Sequence, residues 1–196
     1  MKLLLLTACA LRILSAQEEP EVRFGTTVVI STGLQGNIFF VGQFTKKIPK
    51  LEKLDKKKPV LTIYTKSLNI PTQFFKDGFP GLPKRVEWFV VDYKGKFWIE
   101  NPGRYKFILS SDDGSLLSVD DRPVIDNDGI HPTATKDGTI DLTAGVHTMR
   151  VTYMQGPGYA LALVLQIEPP GQPARIFNTD EYKPPSTLES LPTNPK

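Results

Sequence analysis

The turn at residues 111–115, Ser-Asp-Asp-Gly-Ser, carries the side chains best suited to hold a ligand. Calcium takes about six to eight oxygen ligands, and two carboxylates offset the cost of removing its water. Neighbouring side chains on a regular strand point to opposite faces, so Asp112 and Asp113 can share one ion only at a sharp turn. A turn that one aspartate caps and Gly114 completes needs no metal. Both interpretations are open from these residues alone.

A second polar turn, at residues 126–130, has part of the pattern of an EF-hand calcium loop. If Gly129 is aligned with the invariant glycine of that loop, Val124 falls at the first ligand position. Thr135 then falls where a bidentate glutamate belongs. The sequence therefore excludes an EF-hand at this turn.

Three residues of this region are candidate contacts to a ligand held by the first turn: Asp126, Asn127 and His131. The alternative for the segment is an ordinary polar turn. His131 and His147 are the only histidines, and they are too few and too far apart for a zinc motif. His147 follows an Ala-Gly turn and enters a strand, so we expect it to be structural.

The sequence has none of the common catalytic motifs. It contains no Gly-x-Ser-x-Gly nucleophile elbow, no phosphate-binding loop and no paired-histidine metal motif. A glycosidase places two carboxylates about 5–10 Å apart on either side of the bond that it cleaves. Adjacent Asp112 and Asp113 cannot straddle a sugar in that way. We therefore expect that the protein is not an enzyme.

The chain around these turns is a series of short strands separated by glycine and proline turns. Tyr105, Phe107 and Leu109 occupy every second position, which is typical of a strand with one face on a core. Similar segments recur about every 8–12 residues over residues 60–168, as in a sandwich or barrel. The sequence therefore predicts an all-β fold. Residues 28–30 and 38–41 are two further strands that either join the main sheets or form an attached hairpin.

Several turns follow one another in a distinctive order: residues 101–107 (NPGRYKF), 110–119 (SSDDGSLLSV), 138–147 (GTIDLTAGVH) and 151–153 (VTY). This order closely resembles the protective-antigen-like module, the PA14 domain family, over residues 60–168. The combination is specific, although each piece alone is weak. The resemblance implies a single antiparallel β-sandwich or barrel of the jelly-roll type.

The resemblance also implies a site. Many such modules bind carbohydrate, and in the adhesin branch the paired aspartates lie across a cis peptide and coordinate a calcium ion that holds sugar hydroxyls. The metal ligands implied here are Asp112, Asp113 and Gln155, where glutamine replaces the adhesins' asparagine. The chain lacks the adhesins' loop tryptophan and their subdomain cysteines. The residues that would form the neighbouring ligand-binding loop are Gly156, Pro157, Gly158 and Tyr159.

The N-terminus predicts export. In residues 1–16, one early lysine precedes a short apolar run and a small residue, as in a secretory signal peptide. The run is shorter than the roughly 20 apolar residues that span a bilayer, and no later stretch comes close, so we expect no transmembrane segment. Cys9 ends a lipobox-like tetrapeptide, which makes a lipoprotein the minor alternative. As the only cysteine, it leaves the mature chain without a disulfide, which favours a bacterial source.

Two arms flank the module. Residues 17–59 are an N-terminal extension that contains the two possible strands and a lysine-rich linker, and residues 169–196 are a proline-rich tail that we expect to be extended. Removal of residues 1–16 lowers the formal charge from +3 to +1, which gives no general attraction to nucleic acid.

Positive charge is concentrated in residues 46–58, here called the lysine segment. Seven lysines against Glu52 and Asp55 give it a net charge of +5. It is either a solvated linker or short exposed helix, or a surface that contacts an anionic or protein partner. The lysines are Lys46, Lys47, Lys50, Lys53, Lys56, Lys57 and Lys58.

These observations predict an exported, non-catalytic binding module, secreted, periplasmic or held in the cell envelope. Its expected ligand is a glycan or polysaccharide, with calcium as the expected cofactor through the Asp-Asp turn. The alternative is a structural or adhesive protein of the bacterial envelope that uses the same fold for protein–protein contact.

Overall fold

The protein is built from two antiparallel sheets that pack face to face. The computed structural model describes residues 33–74, 78–82, 85–158 and 160–184. The strands are β1 (Leu34–Phe40), β2 (Leu61–Thr65), β3 (Asn69–Phe74), β4 (Phe89–Ile99), β5 (Gly103–Asp112), β6 (Ser115–Val119), β7 (Arg122–Asn127), β8 (Ala134–Leu142), β9 (Gly145–Gln155), β10 (Ala160–Glu168) and β11 (Arg175–Ile176). One sheet has six strands in the order β2-β1-β4-β9-β6-β7, and the other has five, β11-β10-β5-β8 with β3 also paired to β10.

The core lies between the inner faces of the two sheets. In β5, Tyr105, Phe107 and Leu109 are buried and alternate with partly exposed neighbours, as their spacing predicts. Phe97 of β4 meets Phe107 across the gap with ring centroids 6.4 Å apart. The predicted all-β antiparallel sandwich is therefore confirmed. Of the two architectures that the sequence allows, it is the open sandwich and not the closed barrel.

The packed part of the chain extends beyond residues 60–168. β1 lies inside the six-stranded sheet, between β2 and β4, so the predicted strand at residues 38–41 joins the main sheet. Beyond residue 168, Phe177 is fully buried and Tyr182 stacks on it with ring centroids 5.4 Å apart. Residues 169–184 therefore pack on the sandwich, unlike the extended tail expected there. Residues 1–16 with Cys9, residues 28–30 and residues 185–196 lie outside the described residues.

The lysine segment contains the single described helix, α1 (Leu51–Asp55). Its Leu54 is buried against Phe39, Val90 and Met154, a small second core on the outer face of the six-stranded sheet. The short exposed helix that the sequence allows is thus anchored by one leucine. Among the described residues, no helix has the length and apolar character needed to cross a membrane.

Several strand ends meet at one end of the sandwich. Phe40 of β1 pairs with Phe89 of β4, which pairs with Gln155 of β9. In the other sheet, Asp112 at the end of β5 pairs with Ala162 of β10. We call this end the loop end. It comprises the turn at residues 113–114 and the loops 41–48, 85–88, 128–133 and 156–158.

Candidate functional site at the loop end

Asp113 is the buried centre of the loop end, with 2% of its surface exposed. Its Oδ1 accepts a hydrogen bond from the backbone N–H of His131 at 3.1 Å. Its Oδ2 accepts one from the N–H of Gly156 at 2.8 Å and one from Gln155 Nε2 at 3.2 Å. Burial raises the pKa of this carboxyl above its ordinary value, although the two backbone N–H groups oppose the shift. The charge of Asp112 raises that pKa further.

Asp112 is half-buried and forms the rim of the same site. Its Oδ2 accepts a hydrogen bond from Thr133 Oγ1 at 3.1 Å, and its backbone carbonyl accepts one from the Tyr153 hydroxyl at 2.6 Å. The peptide bond between Asp112 and Asp113 is cis. Both aspartates contact the 128–133 loop, Asp113 at His131 and Asp112 at Thr133.

Gln155 lies behind the aspartates and is fully buried. Its Nε2 donates to Asp113 and also to the carbonyl of Ala160 at 3.3 Å. Its Oε1 shares the single proton of the Tyr153 hydroxyl with the carbonyl of Asp112. Burial raises the pKa of Tyr153 well above its ordinary value, so this hydroxyl keeps its proton. Each polar atom of the Gln155 side chain thus has a partner.

Calcium prefers oxygen ligands. The Gln155 amide presents nitrogen to Asp113, and this orientation does not suit a cation between the two side chains. A half-turn of the amide would direct Oε1 towards Asp113 and Nε2 towards the Tyr153 hydroxyl. With the amide turned, that hydroxyl would accept from Nε2 and donate its single proton to the carbonyl of Asp112 alone. Asp112, Asp113 and Gln155 therefore fit calcium only with the amide turned.

The candidate contacts Asn127, His131 and Asp126 have different positions. Asn127 is buried and donates to Ser111 Oγ at 3.0 Å, so it holds strands together and faces away from solvent. His131 places one ring nitrogen on the carbonyl of Asn127 and the other on that of Pro132, both at 2.9 Å. Asp126 is exposed and accepts from the backbone of Asp128 at 3.0 Å. Of the three, only His131 contacts the paired aspartates, through its backbone N–H.

The 156–158 loop closes the other side of the site. A Cβ at Gly156 would lie 3.3 Å from Asp113 Oδ2, and 2.4 Å from Cδ1 of Ile130, which is the end of a side chain that can turn away. Pro157 is exposed at the tip, and the N–H of Gly158 faces Glu87 Oε1 at 3.4 Å. Tyr159 lies outside the described residues. Within the described part of the chain, no group of three or more His, Cys, Asp or Glu side chains converges as metal ligands.

Sequence reasoning missed several residues of this end. Thr133 and Tyr153 bond to Asp112, but they lie 21 and 41 positions away from it in sequence. Phe44 is 82% exposed in the 41–48 loop, with its ring centroid 6.3 Å from that of Trp88. A lone aromatic in the polar stretch Gly-Gln-Phe-Thr was the only signal for Phe44, and the sequence offers none for Thr133.

The comparison with family models decides the classification. The model of the PA14 domain matches residues 32–180. The chain belongs to the PA14 domain family. The match confirms the resemblance seen in the turns, and it includes β1 and the segment that carries Phe177.

Solved structures share the fold of this PA14 domain at low sequence identity. The PA14 sugar-binding domain of an RTX adhesin is 20% identical, with a TM-score of 0.61 over 76% of this chain and 96% of that one. The PA14 domain of the MpAFP antifreeze protein is 16% identical, with a TM-score of 0.65 over 84% and 94%. The Candida glabrata Epithelial Adhesin 9 A domain, solved with Galβ1-3GlcNAc, is 15% identical, with a TM-score of 0.54 over 78% and 88%. No curated protein matches the chain in sequence.

Proposed function

We propose that this PA14 domain is an exported, non-catalytic glycan-binding module whose ligand sits at the loop end. The observation that carries the proposal is the pair of carboxylates there, one buried and one at the rim. Asp112 Oδ1 accepts no hydrogen bond from the described residues, so it is free to accept one from a sugar hydroxyl. The RTX adhesin domain of the same fold is a sugar-binding domain, which supports the assignment.

Calcium is part of the proposal. The charge of Asp112 raises the pKa of its buried neighbour Asp113, and no lysine or arginine of the described chain forms an ion pair with either. A bound calcium ion would offset this repulsion and offer coordination positions to sugar hydroxyls. Asp112 and Asp113 would hold it, together with the Gln155 oxygen after the amide turns.

Exposed apolar side chains beside the carboxylates complete a surface for a sugar. Phe44 projects from the 41–48 loop, and Ile130 is 41% exposed next to Gly156. Aromatic rings combine a large apolar face with rigid geometry, which suits the C–H face of a pyranose. A ligand on this surface would meet carboxylate acceptors on one side and apolar contacts on the other.

The first experiment measures thermal unfolding of the wild type with EDTA and with added calcium. A ligand that binds only the folded state raises the midpoint, so calcium should raise it for the wild type. The double variant Asp112→Asn with Asp113→Asn should lose that rise. Asp137→Asn, an exposed carboxylate on β8, is the matched control and should keep it. A rise that persists in the double variant would place the ion elsewhere, and no rise in the wild type would remove calcium from the proposal.

A glycan array with calcium present tests the sugar. We expect hits for the wild type and for Asp137→Asn, and their loss in the Asp112→Asn variant. An array without hits would favour the alternative of protein–protein contact. That alternative has its own support, because Phe40, Phe44 and Phe74 are all exposed at the same end.

Export is the part of the proposal that rests on the N-terminal sequence alone. N-terminal sequencing of the protein from the culture medium or periplasm should begin at Gln17 if residues 1–16 are a signal peptide. Mass spectrometry that finds a lipid on Cys9 would replace cleavage with lipoprotein anchoring. Recovery of the full-length chain from the cytoplasm would contradict both.

A further inference from the structure

The lysine segment has a fixed position on the protein. Leu54 is buried in the second core, and Asp55 receives hydrogen bonds from Lys94 at 2.5 Å and from Arg150 at 3.1 Å. The backbone N–H of Ile48 donates to Asp128 Oδ1 at 2.9 Å. Three points of attachment therefore hold against the sandwich the backbone that carries the lysines.

The charge of this surface is uncompensated. All seven lysines are exposed, and none lies within ion-pair distance of a described carboxylate. Of the two acidic residues in the segment, Asp55 is engaged by Lys94 and Arg150 of the sheet. Only Glu52 remains on the outer face to balance the seven positive charges.

The surface is continuous with the loop end. Asp128, which binds the backbone of Ile48, also borders the turn of the paired aspartates. A Cβ at Gly114 would lie 3.2 Å from Asp128 Oδ1 and 2.7 Å from the carbonyl oxygen of Gly129. Asp128 therefore contacts both the backbone next to Lys47 and the turn that carries Asp113.

The composition of the surface selects a soluble polyanion over a bilayer or a protein. The apolar residues of the segment, Ile48, Leu51 and Leu54, all pack inwards on the second core. Membrane-bound amphipathic segments insert apolar side chains, and protein interfaces use buried apolar or aromatic anchors. The outer face of the lysine segment offers neither. Seven exposed lysines within residues 46–58 match charges that repeat along a polymer, because several weak attractions to one chain add up.

We propose that the lysine segment binds an acidic polysaccharide, which runs from the sugar site at the loop end across the seven lysines. This inference rests on the proposed glycan-binding function and names the class of its ligand. Each lysine contributes a weak, salt-screened attraction, and several together hold a chain whose charges repeat. Binding is therefore strong at low ionic strength and falls steeply as salt is added.

The test compares polygalacturonate and hyaluronate with the fully methyl-esterified form of polygalacturonate, which has the same backbone without its charge. We expect the full chain to bind at least one of the two acidic polymers at about 50 mM salt, and the neutral ester at least tenfold more weakly. Binding of the acidic polymer should fall at least tenfold at about 300 mM salt, because screening shortens the reach of each charge. No binding of either acidic polymer at low salt would overturn the proposal.

Two matched variants locate the effect. Lys46, Lys47, Lys50 and Lys53 changed together to glutamine should weaken binding of the acidic polymer at least tenfold. The same four changed to arginine should retain it, because the charges remain. Both should keep the wild-type unfolding midpoint, since the four side chains are exposed. Equal binding by the glutamine and arginine variants would overturn the proposal.

Two further controls separate the possible failures. Asp112→Asn should lose binding of neutral glycans and keep most of the lysine-dependent attraction. If the array shows no binding of neutral glycans while polygalacturonate still binds through the lysines, the carboxylate site is rejected and the lysine surface is kept. Vesicles with phosphatidylserine should bind the wild type more weakly than the acidic polymer does. Lysine-dependent binding to the vesicles in preference to both polymers would overturn the polysaccharide and assign the surface to membranes.

Discussion

Asp113 is the residue of the loop end that connects stability with the proposed ligand site. Its carboxylate is buried, and three N–H groups partly offset the cost of its charge. The raised pKa means that the folded protein holds this proton more tightly than the unfolded chain does. The same electrostatic cost is the reason that calcium is part of the proposed site.

The pH dependence of unfolding tests this view of Asp113. The contribution of Asp113 to stability is fully present below its ordinary pKa of 3.8 and is lost as pH rises through the raised folded value. The wild type, measured in EDTA, should therefore lose stability relative to Asp113→Asn as pH rises from about 4 to 7. Urea unfolding at both pH values gives the two differences. A constant difference would show that the carboxyl titrates alike in the folded and unfolded states.

Most of the contacts at residue scale could not be predicted from the sequence. The Asp112–Asp113 pair was visible because adjacent carboxylates beside a glycine are a local pattern. Thr133 reaches Asp112 only because β8 follows the 128–133 loop back along β5. Gln155 was placed at the site by resemblance, but its amide orientation depends on the hydroxyl of Tyr153. Such contacts are set by packing between distant segments, which leaves no local signal.

At the scale of elements, an arginine of the six-stranded sheet forms a buried ion pair within the sheet and also contacts α1. Arg150 of β9 forms two hydrogen bonds to Asp92 of β4, at 2.8 and 3.0 Å, and it also reaches Asp55 at the end of the helix. The side chain of Asp92 is only 3% exposed. Desolvation alone would lower the pKa of Arg150, but the two carboxylates raise it above its ordinary value, so the charge is retained.

Substitution of Arg150 should lower the free energy of unfolding, because Asp92 is buried. Arg150→Met leaves the Asp92 carboxylate buried without its main partner, and loss of one partner of a buried pair costs about 3–5 kcal/mol. Arg104→Met is the control, because Arg104 and Asp141 are 71% and 68% exposed. Such exposed pairs contribute little to stability, because water and salt screen both charges. Urea unfolding measures both, and equal losses would contradict the distinction between the two pairs.

The two sheets approach each other closely between β7 of the six-stranded sheet and β8 of the other sheet. A Cβ at Gly138 would lie 2.2 Å from the carbonyl oxygen of Val124, a backbone atom that cannot turn away. Gly138→Ala should therefore push the two strands apart and lower the free energy of unfolding by about 1–3 kcal/mol. Gly42→Ala has no atom within 4 Å of the new methyl group and should change stability by less than about 0.5 kcal/mol. Denaturant unfolding of both variants checks the prediction, and equal stability would show that the strands separate at little cost.

At the scale of the whole molecule, the sequence predicts the sandwich fold better than the residues at which the packed domain begins and ends. The alternation of Tyr105, Phe107 and Leu109 defines a strand because a half-buried strand repeats every two residues. Phe177 stands in a proline-rich stretch without that period, and its burial depends on a pairing between β10 and β11 that is only two residues long. An element so short leaves almost no pattern in the sequence, so the boundary at residue 168 fell too early.

Phe177 and Phe44 provide a matched test of which parts of the molecule serve folding and which serve binding. Phe177 is fully buried, and its ring centroid lies 5.6 Å from that of Phe97 and 6.5 Å from that of Phe107. Phe177→Ala should lower the free energy of unfolding by about 3–5 kcal/mol, because it opens a cavity in the shared core. A loss below about 1 kcal/mol would mean that the segment beyond residue 168 is not part of the folding unit.

Phe44→Ala removes the same number of atoms from a side chain that is 82% exposed at the loop end. Its stability should stay within about 0.5 kcal/mol of the wild type, because little apolar surface leaves the core. Its binding to glycans on the array should fall, because the apolar face of a sugar loses its contact. Phe177→Ala, assayed well below its unfolding midpoint, should retain those glycans. The opposite pattern, with binding lost only in Phe177→Ala, would place the ligand away from the loop end.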